Sequence, residues 1–177
     1  MIEKLSSKKT DSFRRTIYDY YLTQPRIFPW RETSNPYHIL VSEIMLQQTQ
    51  AERVIAKYVQ FIQVFPDFKT LASATPGTVL PLWQGLGYSR RALALIRIAR
   101  AVMDDFQGIL PVAPGMLEAL PGIGKTTAGE IAAFAFNYPS VFIETNIRRV
   151  FIHFFFPERD KVRDSEILPL VEQTVLS

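Results

Sequence analysis

The 177-residue chain contains no cysteine, an absence that excludes more chemistry than any other feature of its composition. Within this chain there are no disulfides, thiolate zinc sites, thiol nucleophiles or cysteine-held iron–sulfur clusters. Histidine is nearly as scarce. His38 and His153 lie far apart and give no metal-ligand spacing. No apolar run approaches the roughly 18 residues of a membrane span; the longest suspect, residues 150–156, is far too short. The opening residues, MIEKLSSKKTDSFRR, are polar and charged, unlike a secretory signal. A bacterial-type cytosol or a nucleus is the expected compartment, with no membrane partner. Repeats, low-complexity segments and convincing β-hairpins are missing as well.

What is present reads as an ordinary globular chain. Hydrophobic residues make up 47% and charged residues 21%, enough to bury a core without staples. The length suits one average domain or two small lobes sharing a core. The formal net charge is +3 and the pI about 9.2, a mild lean toward polyanionic partners. Arg90, Arg91, Arg97 and Arg100 cluster, and Arg148 adjoins Arg149. The plain alternative for the cluster is a solvated helix face.

Helical signals dominate. Phe13, Ile17, Tyr20 and Tyr21 keep helical spacing behind the candidate caps Asp11 and Ser12. A proline-studded stretch, 25–36, reads as loop, and 37–46 as a second helix. Thr49-Gln50-Ala51-Glu52 has capping-box spacing and opens a third helix through Ile62. Pro76 starts a helix over 78–83 that Gly85 ends. Residues 89–106 form a long amphipathic helix, and 116–120 a short one behind Pro114. Residues 126–136 form a helix of small apolar residues. Thr145 is a candidate cap for a helix in which Ile147, Val150, Phe151 and Phe154 share a face. The tail, 165–176, is helical, with Pro169 limiting where it starts. The expected fold is all-α, with about eight to ten short helices.

Several motifs stand out, each beside a bland alternative. Leu120-Pro121-Gly122-Ile123-Gly124-Lys125-Thr126 is a glycine turn leading into a helix whose free amides suit a phosphate. It is no P-loop, because Ala119 stands where that pattern needs glycine and no strand precedes it. A non-specific DNA-backbone contact is one reading and a plain interhelix turn the other. Glu43 interrupts the apolar run Ile39-Leu40-Val41-Ser42-Glu43-Ile44-Met45-Leu46. A buried carboxylic acid holds its proton more tightly, which suits a general acid; a surface glutamate is the alternative. Glu144 precedes Thr145-Asn146 at a helix start, where the dipole stabilises an anion. Two carboxylates in different elements suit glycosidic-bond cleavage, one protonating the leaving group and the other stabilising an oxocarbenium-like state. Gln47-Gln48-Thr49 offers planar polar groups for a base stack or base edges, or is a polar loop. Gly85-Leu86-Gly87-Tyr88 is a second glycine turn, able to approach a phosphate or stack on a base, or a glycine-ended helix with a packed tyrosine. In Phe28-Pro29-Trp30-Arg31 the plain reading is a core tryptophan and an unrelated arginine.

Taken in order, FPWR, SEIMLQQTQ, LWQGLGYSRRA, LPGIGKTTAGEIAAFAF and an acidic residue before TNIRRV closely resemble the helix-hairpin-helix DNA glycosylases. Within that superfamily the chain looks most like the adenine DNA glycosylases of MutY type. SEIMLQQT and GLGY are the motifs most specific to that branch, and the likeness runs from about residue 12 to about residue 175.

The resemblance implies a two-lobed fold with a DNA-binding groove between the lobes. A six-helix lobe, 29–136, would carry the hairpin, and 1–28 with 137–177 would build the second lobe from both chain ends. It implies a base-excision enzyme that flips out and removes adenine mispaired with guanine or oxidised guanine. Alternatives are thymine or uracil opposite guanine, or a catalytically impaired mismatch-binding protein. Glu43 matches the proton donor to adenine. Glu144 falls where the family has an aspartate that stabilises the sugar cation, and Tyr88 and Asn146 match supporting residues. Gln48 matches the residue pushed into the stack, with Leu46, Gln47 and Thr49 beside it, and Gly85 and Gly87 in the second turn. Arg31, with Trp30, matches the base pocket. Gly122, Gly124 and the following amides of Lys125 and Thr126 match the phosphate-binding hairpin, whose backbone can hold a monovalent cation.

Lyase-type relatives place a lysine two residues after the second hairpin glycine, where this chain has Thr126, so a monofunctional enzyme is expected. Thr145, glycine in typical adenine glycosylases, is threonine in the endonuclease III and thymine-mismatch branches. The iron–sulfur cysteines and the oxidised-guanine-reading domain of the family are missing from these 177 residues. The expectation is a cluster-free minimal core or a truncated chain, without cofactor, acting as a monomer on double-stranded DNA that carries a mispair or lesion. The aromatic run Phe151, Phe154, Phe155 and Phe156 is expected to stabilise the second lobe in place of a cluster.

Overall fold

A computed structural model describes residues 5–159 and 161–175. Among them are ten α-helices, one 3-10 turn and no strand, so the fold is all-α. The chain divides into two compact units, one spanning Ile27–Tyr138 and the other combining Met1–Arg26 with Pro139–Ser177. The larger unit begins ahead of residue 29, because Phe28 stacks on Trp30 (ring centroids 5.0 Å apart) and shares its core.

The larger unit is organised around one helix buried on nearly every side. After the 3-10 turn Pro29–Arg31, α2 (Pro36–Leu46) starts with Pro36 in its first turn and the Asn35 side chain accepting from the Tyr37 amide at 2.9 Å. Leu40, Val41, Ile44 and Met45 are fully buried, the pattern of a helix running through a core. Around it pack α3 (Ala51–Val64), α6 (Arg90–Phe106) and α8 (Lys125–Phe136). Along α6 the buried set is Ala92, Leu95, Ile98, Ala99 and Val102, while Arg97 and Arg100 face out. It stops where Gln107 and Gly108 turn left-handed (φ 56° and 82°). The short helices α5 (Pro76–Trp83) and α7 (Pro114–Glu118) lie against α6 and α8 respectively.

One helix escaped the sequence pattern. α4 (Phe68–Ala72) is capped by Asp67, whose carboxylate accepts from the Thr70 amide at 2.7 Å. Five residues are too few for a helical period to declare itself.

In the smaller unit, α1 (Ser7–Thr23), α9 (Thr145–Phe155) and α10 (Asp164–Thr174) surround Phe151, Ile167, Leu170 and Val171. Phe13 is the aromatic hub, with its ring 5.2 Å from Phe151, 5.2 Å from Phe154 and 5.1 Å from Phe155.

Local expectations at helix ends fared worse than the helices themselves. The cap of α1 is Ser6, well ahead of Asp11 and Ser12, which lie inside the helix. Pro169 sits within α10 rather than near its start, where it has no amide to give the Ser165 carbonyl. Thr49 does not cap α3. Gln50 occupies the cap position without a side-chain bond, and the Thr49 hydroxyl is engaged elsewhere. Thr145 does not cap α9 either; Glu144 does.

Candidate active site

Glu43 lies in the last third of α2, half-buried between the buried Ser42 and Ile44. It stands three and four residues before Leu46 and Gln47, on the same helix face as the turn that follows. That turn, 47–50, carries the polar side chains predicted to enter a base stack. Gln47 donates its amide to the Thr127 hydroxyl at 3.2 Å, tying the turn to α8. Gln48 is exposed, in left-handed backbone at φ 54°, and Leu46 packs partly against the core.

The second turn, residues 84–89, lies beside the first. Gly85, Gly87 and Tyr88 all have positive φ (93°, 75° and 47°), so Tyr88 adopts a conformation that non-glycine residues rarely take. Its side chain is 53% exposed. Every carbonyl from 85 to 87 is held by a donor of the same unit. Arg53 donates to Gly85 at 2.6 Å, Arg91 to Leu86 at 3.0 Å, and the Trp83 indole to Gly87 at 3.0 Å. The turn is therefore fixed from behind while Tyr88 faces solvent.

Arg91 corrects the reading of the arginine cluster as a solvated face. It is only 6% exposed. Its Nη1 donates to the carbonyls of Ile44 at 3.1 Å and Met45 at 3.0 Å, and closely to that of Gln47. The Ile44 and Met45 carbonyls are among the last four of α2, which have no partner inside the helix, and a cation there also suits the helix dipole. Its Nη2 donates to the Leu86 and Gly87 carbonyls and to Thr49 Oγ1. Burial pushes the guanidinium below its ordinary pKa, yet an arginine remains charged. The sequence offers one signal for this role: an arginine one position before a run of buried residues on α6.

The hairpin is α7, a turn at 119–124, and α8. Gly122 is required twice, by φ 88° and because a Cβ there would approach the Ala94 Cβ to 3.0 Å. Gly124 takes the cap position of α8 in extended backbone, and no side chain caps that end. The amides of Lys125, Thr126 and Thr127 therefore begin the helix as free donors. Lys125 is exposed and Thr126 half-buried. The carbonyls of Leu120 and Gly124 each accept one amide, from Ile123 at 3.2 Å and Ala128 at 2.9 Å.

Trp30 is buried, stacked on Phe28 and edge-on to Tyr58 with centroids 5.4 Å apart. Arg31 is exposed, its guanidinium 5.2 Å from the Phe28 ring centre. Of this pair, only Arg31 presents a polar head at the surface.

In the smaller unit, Glu144 folds back on its own helix. One carboxylate oxygen accepts from the Ile147 amide at 2.7 Å and the other from the Asn146 side chain at 3.2 Å. Glutamate is not a favoured cap; its longer side chain reaches the amide that a Ser or Asp cap usually takes.

Residues 41–170 match the family described as HhH-GPD superfamily base excision DNA repair protein. The chain is 42% identical over 144 residues to an adenine DNA glycosylase of Buchnera aphidicola (subsp. Baizongia pistaciae), covering 81% of this chain and 41% of that protein. It is 39% identical over 148 residues to the adenine DNA glycosylase of Rattus norvegicus, covering 78% of this chain and 29% of that one. It thus spans less than half the length of either relative. A solved thermostable thymine-DNA glycosylase superposes with a TM-score of 0.82 at 28% identity, covering 94% of this chain and 78% of the other. With the hairpin in place between α7 and α8 and the family matched over most of the chain, the chain belongs to the HhH-GPD superfamily of base excision DNA repair proteins.

Proposed function

We propose that this chain is a monofunctional DNA glycosylase that extrudes adenine mispaired with guanine or oxidised guanine and hydrolyses its N-glycosidic bond. The observation that carries this reading is Glu43, a half-buried carboxyl group on a largely buried helix, sharing a face with the turn that presents Gln48. Its likeness to adenine-specific relatives supports the choice of base.

The chemistry follows from the residues. Extruding a base costs a few kcal/mol of unstacking and unpairing; Gln48 and Tyr88, held outward on fixed turns, fill the space it leaves. The Glu43 carboxylic acid gives its proton to a ring nitrogen of adenine. The bond between the sugar and adenine breaks, its electron pair leaves with the now neutral base, and a cationic sugar remains. Glu144 is assigned to stabilise that cation, with Asn146 orienting its carboxylate, and Arg31 to contact the extruded base. Water then adds to the sugar, its surplus proton passes to the Glu43 carboxylate that the first step left, and an abasic site remains. The free amides opening α8 bind a backbone phosphate, and a monovalent cation held by the hairpin backbone would add positive charge there. The residue two after Gly124 is Thr126, which forms no Schiff base.

A second reading, thymine or uracil opposite guanine, is favoured by the thymine-DNA glycosylase likeness and by Thr145. Single-turnover excision on duplexes carrying A opposite 8-oxoguanine, A opposite G, and T or U opposite G decides between them. Adenine release that is lost in Glu43→Gln supports the first reading. Thymine or uracil release replaces it with the second. Duplex binding without cutting of any substrate leaves a mismatch-binding protein.

A further inference from the structure

We propose that Arg91 is a positioning residue: it clasps the turns 47–50 and 84–89 into a single rigid element and holds Gln48 and Tyr88 in the left-handed backbone that presents them. This deepens the glycosylase reading and rests on it for the purpose of the clasp, though not for its existence.

Arg91 holds a residue of each turn from both sides. Gln48 is bracketed by two acceptors of the Arg91 side chain, the Gln47 carbonyl before it and the Thr49 hydroxyl after it. Tyr88 is bracketed by one bond from the Arg91 side chain and one from its main chain. The Arg91 side chain bonds the Gly87 carbonyl before it at 3.2 Å, and the Arg91 amide bonds the Tyr88 carbonyl at 2.9 Å. These residues are two of the non-glycine positions with positive φ, one in each turn (54° and 47°). Such a conformation persists only where the surroundings over-determine it. One buried guanidinium supplies that constraint to both turns, and the Thr49 hydroxyl, 3.4 Å from the Leu86 carbonyl, adds a direct link between them. Every hydrogen bond of the Arg91 side chain among the described residues goes to a neutral oxygen, and its buried Nε has no partner. A buried charge paired with no carboxylate is directed mainly at main-chain carbonyls, with the Thr49 hydroxyl as its one side-chain acceptor. Lysine could not replace it, because a single ammonium cannot span both sets of acceptors as the planar fork does.

The test uses the full chain with Arg91→Lys and Arg91→Met, and Thr49→Val as a milder variant should either fail to fold. Amide hydrogen exchange without DNA is read over both turns and over α8. Exchange in the two turns should accelerate together, by about tenfold or more for the Arg91 variants and less for Thr49→Val, with α8 unchanged. A duplex with 2-aminopurine at the target position gives a fluorescence rise on extrusion. That rise should fall about fivefold or more in Arg91→Lys, beyond any change in duplex affinity. Acceleration in only one turn, acceleration spread equally into α8, or an undiminished fluorescence rise overturns the proposal. A wild-type protein that raises no fluorescence on any mispair sinks the glycosylase reading instead, and the exchange arm alone then upholds or overturns the clasp.

Discussion

Two helix ends, one in each unit, face the same physical problem and solve it in opposite ways. The end of α2 leaves carbonyls without acceptable partners in its own sequence, and they are captured by Arg91, more than forty residues further along the chain. The start of α9 leaves amides unpaired, and Glu144 captures one three residues away. The distant solution couples two turns to a core, so an error there spreads. The local one fixes a carboxylate and little else. The surroundings differ to match. The larger unit packs a continuous core of fully buried side chains around α2 and α6, whereas the smaller one rests, among the described residues, on a cluster of four buried apolar residues, an aromatic hub and surface ion pairs.

The contrast can be broken by substitution, most severely on α6. Leu95 is fully buried on the helix that carries Arg91. Leu95→Ala should cost about 2–5 kcal/mol by denaturant unfolding, through lost burial and the cavity left behind. A loss below about 1 kcal/mol would show that α6 is not tightly packed into the core. Phe13→Ala in the smaller unit removes the centre of the aromatic hub and should cost less, about 1–3 kcal/mol, because the side chain is only partly buried.

Glu144 separates capping from chemistry. Glu144→Ala should cost about 1 kcal/mol of stability, the usual value of a cap. Glu144→Asp keeps a favoured cap residue while shortening the reach, and should raise single-turnover excision, by up to on the order of a hundredfold if the extra methylene misplaces the carboxylate by about 1 Å. An unchanged or lower rate would mean that the glutamate is suited to this backbone.

The smallest effect concerns acid. Hydrogen bonds from Arg159 and from the Arg163 amide hold the Glu166 carboxyl at about 2, below its ordinary 4.5. A depressed folded-state pKa stabilises the fold above the unfolded value and loses that contribution as pH falls from 4.5 toward 2. Thermal melts of Glu166→Gln should therefore converge on wild type across that window, with the difference greatest above it.

Much of the fold was legible because helices declare themselves over three or more turns. The spacing of Val54, Tyr58 and Phe61 on α3, and of Leu95, Ile98 and Val102 on α6, is set by burial on one face. The five-residue α4 had no such period to show. Gly122 was legible because only a glycine takes φ 88° so close to Ala94. Helix ends were harder. Thr49 has the spacing of a capping box, but a hydroxyl can serve only a few partners, and a buried guanidinium offered a better one.

By itself, then, the sequence determined that this is an all-α chain of amphipathic helices, that a glycine hairpin opens α8, and that Glu43 interrupts an apolar helix. Those features depend on neighbours a few residues apart, which a linear reading contains. Only the tertiary structure decided that Arg91 is buried rather than solvated, that Gln47 turns toward Thr127 while Gln48 faces out, and that Trp30 packs inside while Arg31 stays at the surface. Each of these is a choice among partners distant along the chain. A polar group leaves water only where the fold has already gathered enough acceptors to replace it.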